Sequence, residues 1–443
     1  MPQIASILAT PGLTGYYFDD LAAIKAGARQ DGFFYTGTPV TPGQYMVRQP
    51  GESISLILIL SSGEMSFGDA VSIQYSGVVG RDPVLIARTY LPFVDDYLVP
   101  LLVGREVGHF RELCDAVEGI RLDDGKPLHT GLRYGMSQAL LAAVALVQRR
   151  PMPMVIAEEF GTSPSKVPIA VLAQSGDDRY LGADKMILKS VPSIPQGLFN
   201  HVDKVGSDGA ELLDYVSWLA DRVARFGTDG YQPTFHLDVY GTIGEIFAND
   251  PMRITPYLEQ LAIAAAPYLV RVEAPVDLGA RDATLEAMCA LRQEVDRQGV
   301  PVKIVADDWC NTLDDIRLFA EAGAAHMIQI KAPDLGCLCN SIDAVKVCHA
   351  HGVEAFLGGT CNGTDQSSRV TANVAIATNA DLIYNKPGMG VDEGLMIVTN
   401  EMARTLAVME GLGTGALRGS NAFTDVEGES TLRGSSDERS ASS

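Results

Sequence analysis

Four stretches of apolar, β-branched text carry polar residues at alternate positions. Asp238 follows His236 by two, with Phe235, Leu237 and Val239 between and around them. Glu273 follows Arg271 between Val270 and Val272, Asp307 lies out of phase with Ile304 and Ala306, and Lys331 follows Gln329 between Ile328 and Ile330. Alternate residues of a strand share a face, so each stretch reads as a strand with one polar face near its C-terminal end. Three carboxylates gathered in a buried place repel one another, and a single lysine is too little positive charge to compensate them. Oxygen ligands favour a hard divalent ion, Mg²⁺ by default, with Mn²⁺ a competent substitute. A dication beside a lysine has a characteristic reaction class. The ion binds a substrate carboxylate and stabilises the second negative charge that forms when the adjacent carbon loses a proton. The lysine, its pKa lowered by burial and by the ion, takes that proton. Taken singly, each acid reads equally well as a strand-end cap or an ion pair with Arg271 or Lys303; three in register with Lys331 favour the metal reading.

The elements that must position these groups are legible as a repeat. Short apolar stretches at 167–174, 235–241, 269–275, 302–309, 327–333, 354–360 and 382–387 alternate with amphipathic helical text such as 284–298. The spacing is roughly 25–35 residues, one βα unit each, and the gap from 174 to 235 has room for one more. The pattern predicts a TIM-type (β/α) barrel over 161–410, with the polar groups at the C-terminal mouth where such barrels keep their sites. An open doubly wound sheet is the alternative, weakened because no Gly-rich phosphate loop follows the first strand. Upstream, residues 53–60 and 65–75 alternate around Ser61-Ser62-Gly63-Glu64 as an antiparallel hairpin, and helices follow at about 104–120 and 130–149. Strands first and helices second predict an α+β unit over 1–160. From 411 the text turns to Gly, Ser and charges, which reads as a disordered tail over 411–443, with the 411–415 glycine cluster a flexible linker.

Composition narrows the function classes. The 443 residues carry 55 acidic and 34 basic side chains, a net charge of −21. That surface repels nucleic acid and anionic membranes, and an anionic small substrate needs a local positive charge. No apolar run approaches a membrane span, and residues 139–147 read as a buried helix. The N-terminal text lacks the basic flank and apolar core of a secretory signal, and seven cysteines make no even framework, so reduced thiols in the cytoplasm are expected. His349 and His351 read as a helix C-terminus, Cys337 and Cys339 lack zinc-site spacing, and His201 reads as a surface helix residue.

Beyond this point the sequence resembles a known family. PGLTGYYFDD from residue 11, QSGDDRY from 174, HLDVYGTIG from 236, DDWCNT from 307, QIKAPDLG from 329, GGTCN from 358 and KPGMGVDEG from 386 are similar, in order, to motifs of methylaspartate ammonia-lyase. The resemblance covers about residues 3–410 and places the chain in the enolase superfamily, whose sites pair a lysine or histidine base with bound Mg²⁺. It implies a modified TIM barrel with an N-terminal α+β cap. It also implies reversible elimination of ammonia from L-threo-3-methylaspartate to mesaconate, by a Mg²⁺-dependent homodimer activated by K⁺. Asp238, Glu273 and Asp307 match the metal ligands, and Lys331 the base for the C3 proton. Gln329 matches a contact to the metal-bound carboxylate, and Gln174, Thr360 and Cys361 match contacts to the other carboxylate.

Departures from the family pattern point to an altered pocket. In SIPQGL at 193–198 the family commonly has histidine where Gln196 stands. An amide can bond a carboxylate but cannot accept a proton near neutral pH, so weak activity on the erythro epimer is expected. Leu172, Phe356 and Tyr384 read as changed wall residues, and Asp308 as a shortened glutamate beside Lys331. Gln196 and Tyr384 keep open a rival, another superfamily acid–base enzyme on a different carboxylate; a third reading, a non-catalytic binding protein, is opposed by the intact metal ligands and Lys331.

Overall fold

A computed structural model describes residues 1–413 except Asp177, Gly359, Pro387 and Met389. Most of the expected tail, 414–443, lies outside the described residues. Residues 411–413, expected to begin it, instead end the helix Val391–Gly413.

The N-terminal unit is built on β1 (Ile4–Asp19), with a small hairpin of β2 (Arg29–Asp31) and β3 (Phe34–Thr36) after it. β1 pairs antiparallel with β4 (Arg48–Leu60), which pairs antiparallel with β5 (Met65–Ala70). The hairpin expected at 53–75 is therefore present, but its second strand stops at Ala70. Helices Phe110–Glu118, Thr130–Gln148 and Met152–Phe160 complete the unit. The apolar 139–147 text lies in the middle helix and is buried through Ala145. That helix sits almost in contact with the β5 backbone. A Cβ on Gly68 would lie 2.1 Å from the Gly135 carbonyl oxygen, and one on Gly135 would lie 2.4 Å from the Ala70 nitrogen.

The second unit is a closed barrel of eight parallel strands in sequence order. They are β6 (Val171–Gly176), β7 (Ser193–Leu198), β8 (Thr234–Asp238), β9 (Val270–Glu273), β10 (Val302–Ala306), β11 (Met327–Ile330), β12 (Glu354–Leu357) and β13 (Leu382–Tyr384). β13 closes onto β6. The unit expected between 174 and 235 is β7, and the open-sheet alternative is excluded by the closure. Alternation divides the strands as predicted. Phe235, Leu237, Val270, Val272, Ile304, Ile328 and Ile330 pack outward into the shared core, while Leu172, Val305, Met327, Phe356, Leu382 and Tyr384 fill the barrel interior. Arg271 and Lys303, the cations that might have paired the acids, both meet Glu354 near the strands' N-terminal ends. The acids at the opposite end are left without them.

The cap is stitched to the barrel mouth. Gly15 N–H donates to the Gly363 carbonyl at 2.9 Å, and Asn362 Nδ2 donates to the Tyr17 carbonyl at 3.2 Å. Gly68→Ala forces the cap helix off β5 and is expected to cost about 1–3 kcal/mol. A lower urea midpoint with an unchanged slope checks it, and an unchanged midpoint contradicts it.

Candidate active site and metal centre

Asp238 closes β8, Glu273 closes β9 and Asp307 follows β10 by one residue. Parallel pairing sets Asp238 beside Glu273, and ligand oxygens of all three acids lie within 4.8 Å of one another. Each strand then leaves through a non-glycine residue in the left-handed region: Tyr240 (φ 49°), Ala274 (φ 48°) and Trp309 (φ 72°). Such conformations cost about 1–3 kcal/mol each and gather at functional sites.

The acids are buried to 2 %, 0 % and 5 % exposure, and that burial dominates their protonation. It pushes Glu273 up to about 7, opposed by the Gln196 hydrogen bond and Lys331. Asp307 also reaches about 7, raised by burial and opposed by Lys331. Asp238 is raised well above the usual carboxylate range by burial and then by Glu273 and Asp307. Among the described residues, Asp238 Oδ1 and Glu273 Oε1 accept no hydrogen bond. Buried acceptors without donors, on acids that resist ionisation together, fit a hard divalent cation, and no histidine or thiolate competes within the triad.

Lys331 leaves the end of β11 at 8 % exposure, its ammonium in ion-pair contact with Asp307 and 3.3 Å from Asp308. Burial pushes the amine down, but Asp307 and Asp308 outweigh it and hold the group above its ordinary value. The lowered pKa expected from the sequence rests on a neighbouring dication as well as on burial, and burial alone does not supply it. Asp308 is itself anchored. Arg81 Nη2 donates to it at 2.6 Å and Arg81 Nε donates to Asp334 at 2.9 Å. Burial raises the Asp308 carboxyl, but Lys331 and Arg81 prevail and hold it well below the usual range.

One pocket gathers nearly every residue singled out in the sequence. Asp238, Asp307, Lys331, Gln174, Gln196, Gln329, Thr360, Cys361 and Tyr384 line it, with Asp308. Glu273 is wholly buried beside Asp238 and Asp307. The amide oxygens of Gln174 and Gln329 have no partner among the described residues, which leaves them as acceptors. Leu172 and Phe356, expected in the wall, belong instead to the packed interior, where Phe356 meets His236 edge-on at 5.6 Å. His201 is exposed and caps the short helix Val202–Val205.

Sequence reasoning missed the cap's contribution. Ile73, Gln74 and Tyr75, just past β5, cover the pocket, and Tyr240 lines it from the barrel. Cys361 Sγ donates to Gln74 Oε1 at 3.2 Å, Gln74 Nε2 donates to Asp19 Oδ2 at 2.7 Å, and Arg48 holds Asp19 through two bonds of 2.7 Å. Burial pushes the Cys361 thiol up, so it serves as a donor and not as a nucleophile. Gln196 is placed by a device that alternation hides. The β7–β8 register shifts between Ile194 and Gly197, so Ile194 packs in the outer core while Gln196 turns inward.

The family model described as methylaspartate ammonia-lyase C-terminus matches residues 163–411, and the one described as its N-terminus matches 2–161. The chain belongs to the methylaspartate ammonia-lyase family. Methylaspartate ammonia-lyase 2 of Carboxydothermus hydrogenoformans is 48% identical over 93% of this chain and 99% of its own length. The Mg complex of β-methylaspartase from Clostridium tetanomorphum superposes with a TM-score of 0.88 at 46% identity, covering 92% of this chain and 99% of that one. The Citrobacter amalonaticus enzyme containing (2S,3S)-3-methylaspartic acid gives 0.90 at 47% identity over 92% and 100%. A muconate lactonizing enzyme from Pseudomonas fluorescens, at 16% identity and a TM-score of 0.58, shares the fold alone.

The raised acids make a linkage prediction. Glu273 and Asp307 sit near 7 when folded against ordinary values of 4.5 and 3.8. The folded state binds their protons more tightly than the unfolded one, so their stabilising contribution is complete below about pH 4 and is lost as pH rises through about 7. Metal-free protein is therefore expected to lose thermal stability between about pH 4 and 7, and the increase in Tm on adding Mg²⁺ to grow over the same window. A Mg²⁺ effect independent of pH contradicts this.

Proposed function

We propose that this chain eliminates ammonia from L-threo-3-methylaspartate to give mesaconate, and catalyses the reverse addition. The observation that carries the reading is Lys331 in contact with Asp307 within the buried acid triad, in a chain of this family. In this reading Asp238, Glu273 and Asp307 hold Mg²⁺, which Mn²⁺ replaces, and K⁺ activates. When bound, the dication stabilises the charge that collects on the substrate carboxylate as the adjacent carbon loses its proton.

The protein's own groups do the rest. Lys331 takes the C3 proton, the C3–H electrons form the C2–C3 double bond, and the C2–N bond breaks to release ammonia. Lys331 acts as a base only when neutral, a form that Asp307 and Asp308 oppose. Commitment of Asp307 to a dication removes one of those two opponents. Gln329 contacts one carboxylate, and Gln174 with Thr360 and Cys361 the other, each glutamine through an amide N–H, the only part of the side chain that can donate to a carboxylate. The Gln74–Asp19–Arg48 chain fixes the Cys361 thiol from the cap side. The reading includes a homodimer working in the cytoplasm.

Tyr384 favours a second reading, in which the same Lys331 and metal serve a different carboxylate. Its buried ring fills part of the pocket.

Mixing protein and Mg²⁺ with threo-3-methylaspartate is expected to produce the ultraviolet absorbance of an unsaturated diacid. Lys331→Ala is expected to lower the rate by about 10²–10⁴-fold; absence of product from the wild type overturns the assignment. With the erythro epimer, turnover and deuterium entry at C3 are expected to be very low, and Gln196→His to raise them. Rapid C3 exchange by the wild type contradicts that part.

A further inference from the structure

Two buried donors converge on one oxygen of Glu273. Gln196 Nε2 donates to Oε2 at 2.8 Å, and His236 Nε2 lies 2.7 Å from the same atom. The exposures of Gln196, His236 and Glu273 are 3 %, 0 % and 0 %. The other oxygen, Oε1, accepts nothing among the described residues. A carboxylate has about four lone-pair directions, and two donors on one oxygen fix both its rotation and which oxygen stays available.

Both donors are held by the fold itself. His236 is an inward residue of β8, its ring edge-on to Phe356 at 5.6 Å. Gln196 reaches Glu273 because the register shift between Ile194 and Gly197 turns it off the outward face that Ile194 follows. A residue aimed at substrate alone need not bond a carboxylate from β9, whereas the Gln196 donor is already engaged there.

We propose that Gln196 and His236 are positioning residues that clamp Glu273 Oε2, so that Oε1 faces a divalent cation shared with Asp238 and Asp307. This rests on the metal site of the proposed function and goes beyond it, because it gives the glutamine at 196 work on the metal ligand. Neutral donors suit that work: they orient an anion without cancelling the charge the cation needs. Partners of this kind behind metal ligands are worth about 10–100-fold in metal affinity.

Calorimetric titration of Mg²⁺ into metal-stripped full-length protein tests it, with Tm against Mg²⁺ as a second readout. Gln196→Leu is expected to raise the Mg²⁺ Kd by about 10–100-fold while its metal-free unfolding stays cooperative. Gln196→His, which keeps an N–H donor, is expected to stay within about threefold of wild type, a rescue that loss of packing would not give. His236→Phe provides an independent removal of the second donor, with the same expected loss. Unchanged affinity in Gln196→Leu, or equal loss in Gln196→Leu and Gln196→His, overturns the clamp while leaving the metal site intact. Wild-type protein that shows no saturable Mg²⁺ binding overturns the metal site and the clamp together.

Discussion

Three buried carboxylates in one pocket cannot all carry charge unless a cation joins them. At a separation of about 4.8 Å and an effective dielectric of about 20, each pair of unit charges repels by roughly 3.5 kcal/mol. Three such pairs sum to about 10 kcal/mol, comparable with the net stability of a whole domain. Burial adds to the opposition, as the raised Asp238, Glu273 and Asp307 carboxyls record. The fold nonetheless places them together at the ends of β8, β9 and β10, and spends its nearest strand cations, Arg271 and Lys303, on Glu354 at the other end. The arrangement makes sense as a receptor for a dication, with Lys331 beside it.

The rest of the molecule serves that cluster from two sides. The barrel supplies the acids, the lysine and the loop of Thr360 and Cys361, and its interior layer around Phe356 and Tyr384 forms the floor. The cap supplies Gln74 and Tyr75 over the mouth and Arg81 behind Asp308. Asp308 lies 3.3 Å from the Lys331 ammonium and is held by Arg81, which also binds Asp334. A residue far back in the sequence, Arg81, therefore sets the surroundings of the amine, and the same N-terminal unit is bonded to the barrel mouth through Gly15, Tyr17 and Asn362.

The part of this legible in the sequence was the part governed by period two. Alternation in β8 to β11 separated outward Val272 and Ile330 from inward Glu273 and Lys331, and the βα repeat implied the closed barrel. What escaped was governed by backbone irregularity and by distance along the chain. The bulge at β7 reverses the face of Gln196, so counting from Ile194 misplaces it. β1, with Pro11 and shifted register after Leu13, carries no clean alternation. Gln74 and Arg81 follow a strand that ends early, and nothing local in their text marks them as roof residues. Motif resemblance located the Gln196 position, but only the coordinates reveal that its amide meets Glu273. Resemblance likewise misdirected Leu172 and Phe356, which pack beneath the pocket.

Anomalous diffraction from crystals soaked in Mn²⁺ tests the central claim most directly, because it locates the ion without reference to activity. One strong peak is predicted within bonding distance of Asp238, Glu273 and Asp307 carboxylate oxygens, and Asp238→Asn is predicted to weaken or remove it. A mouth free of anomalous signal at saturating Mn²⁺, or a peak bound elsewhere, would contradict the account.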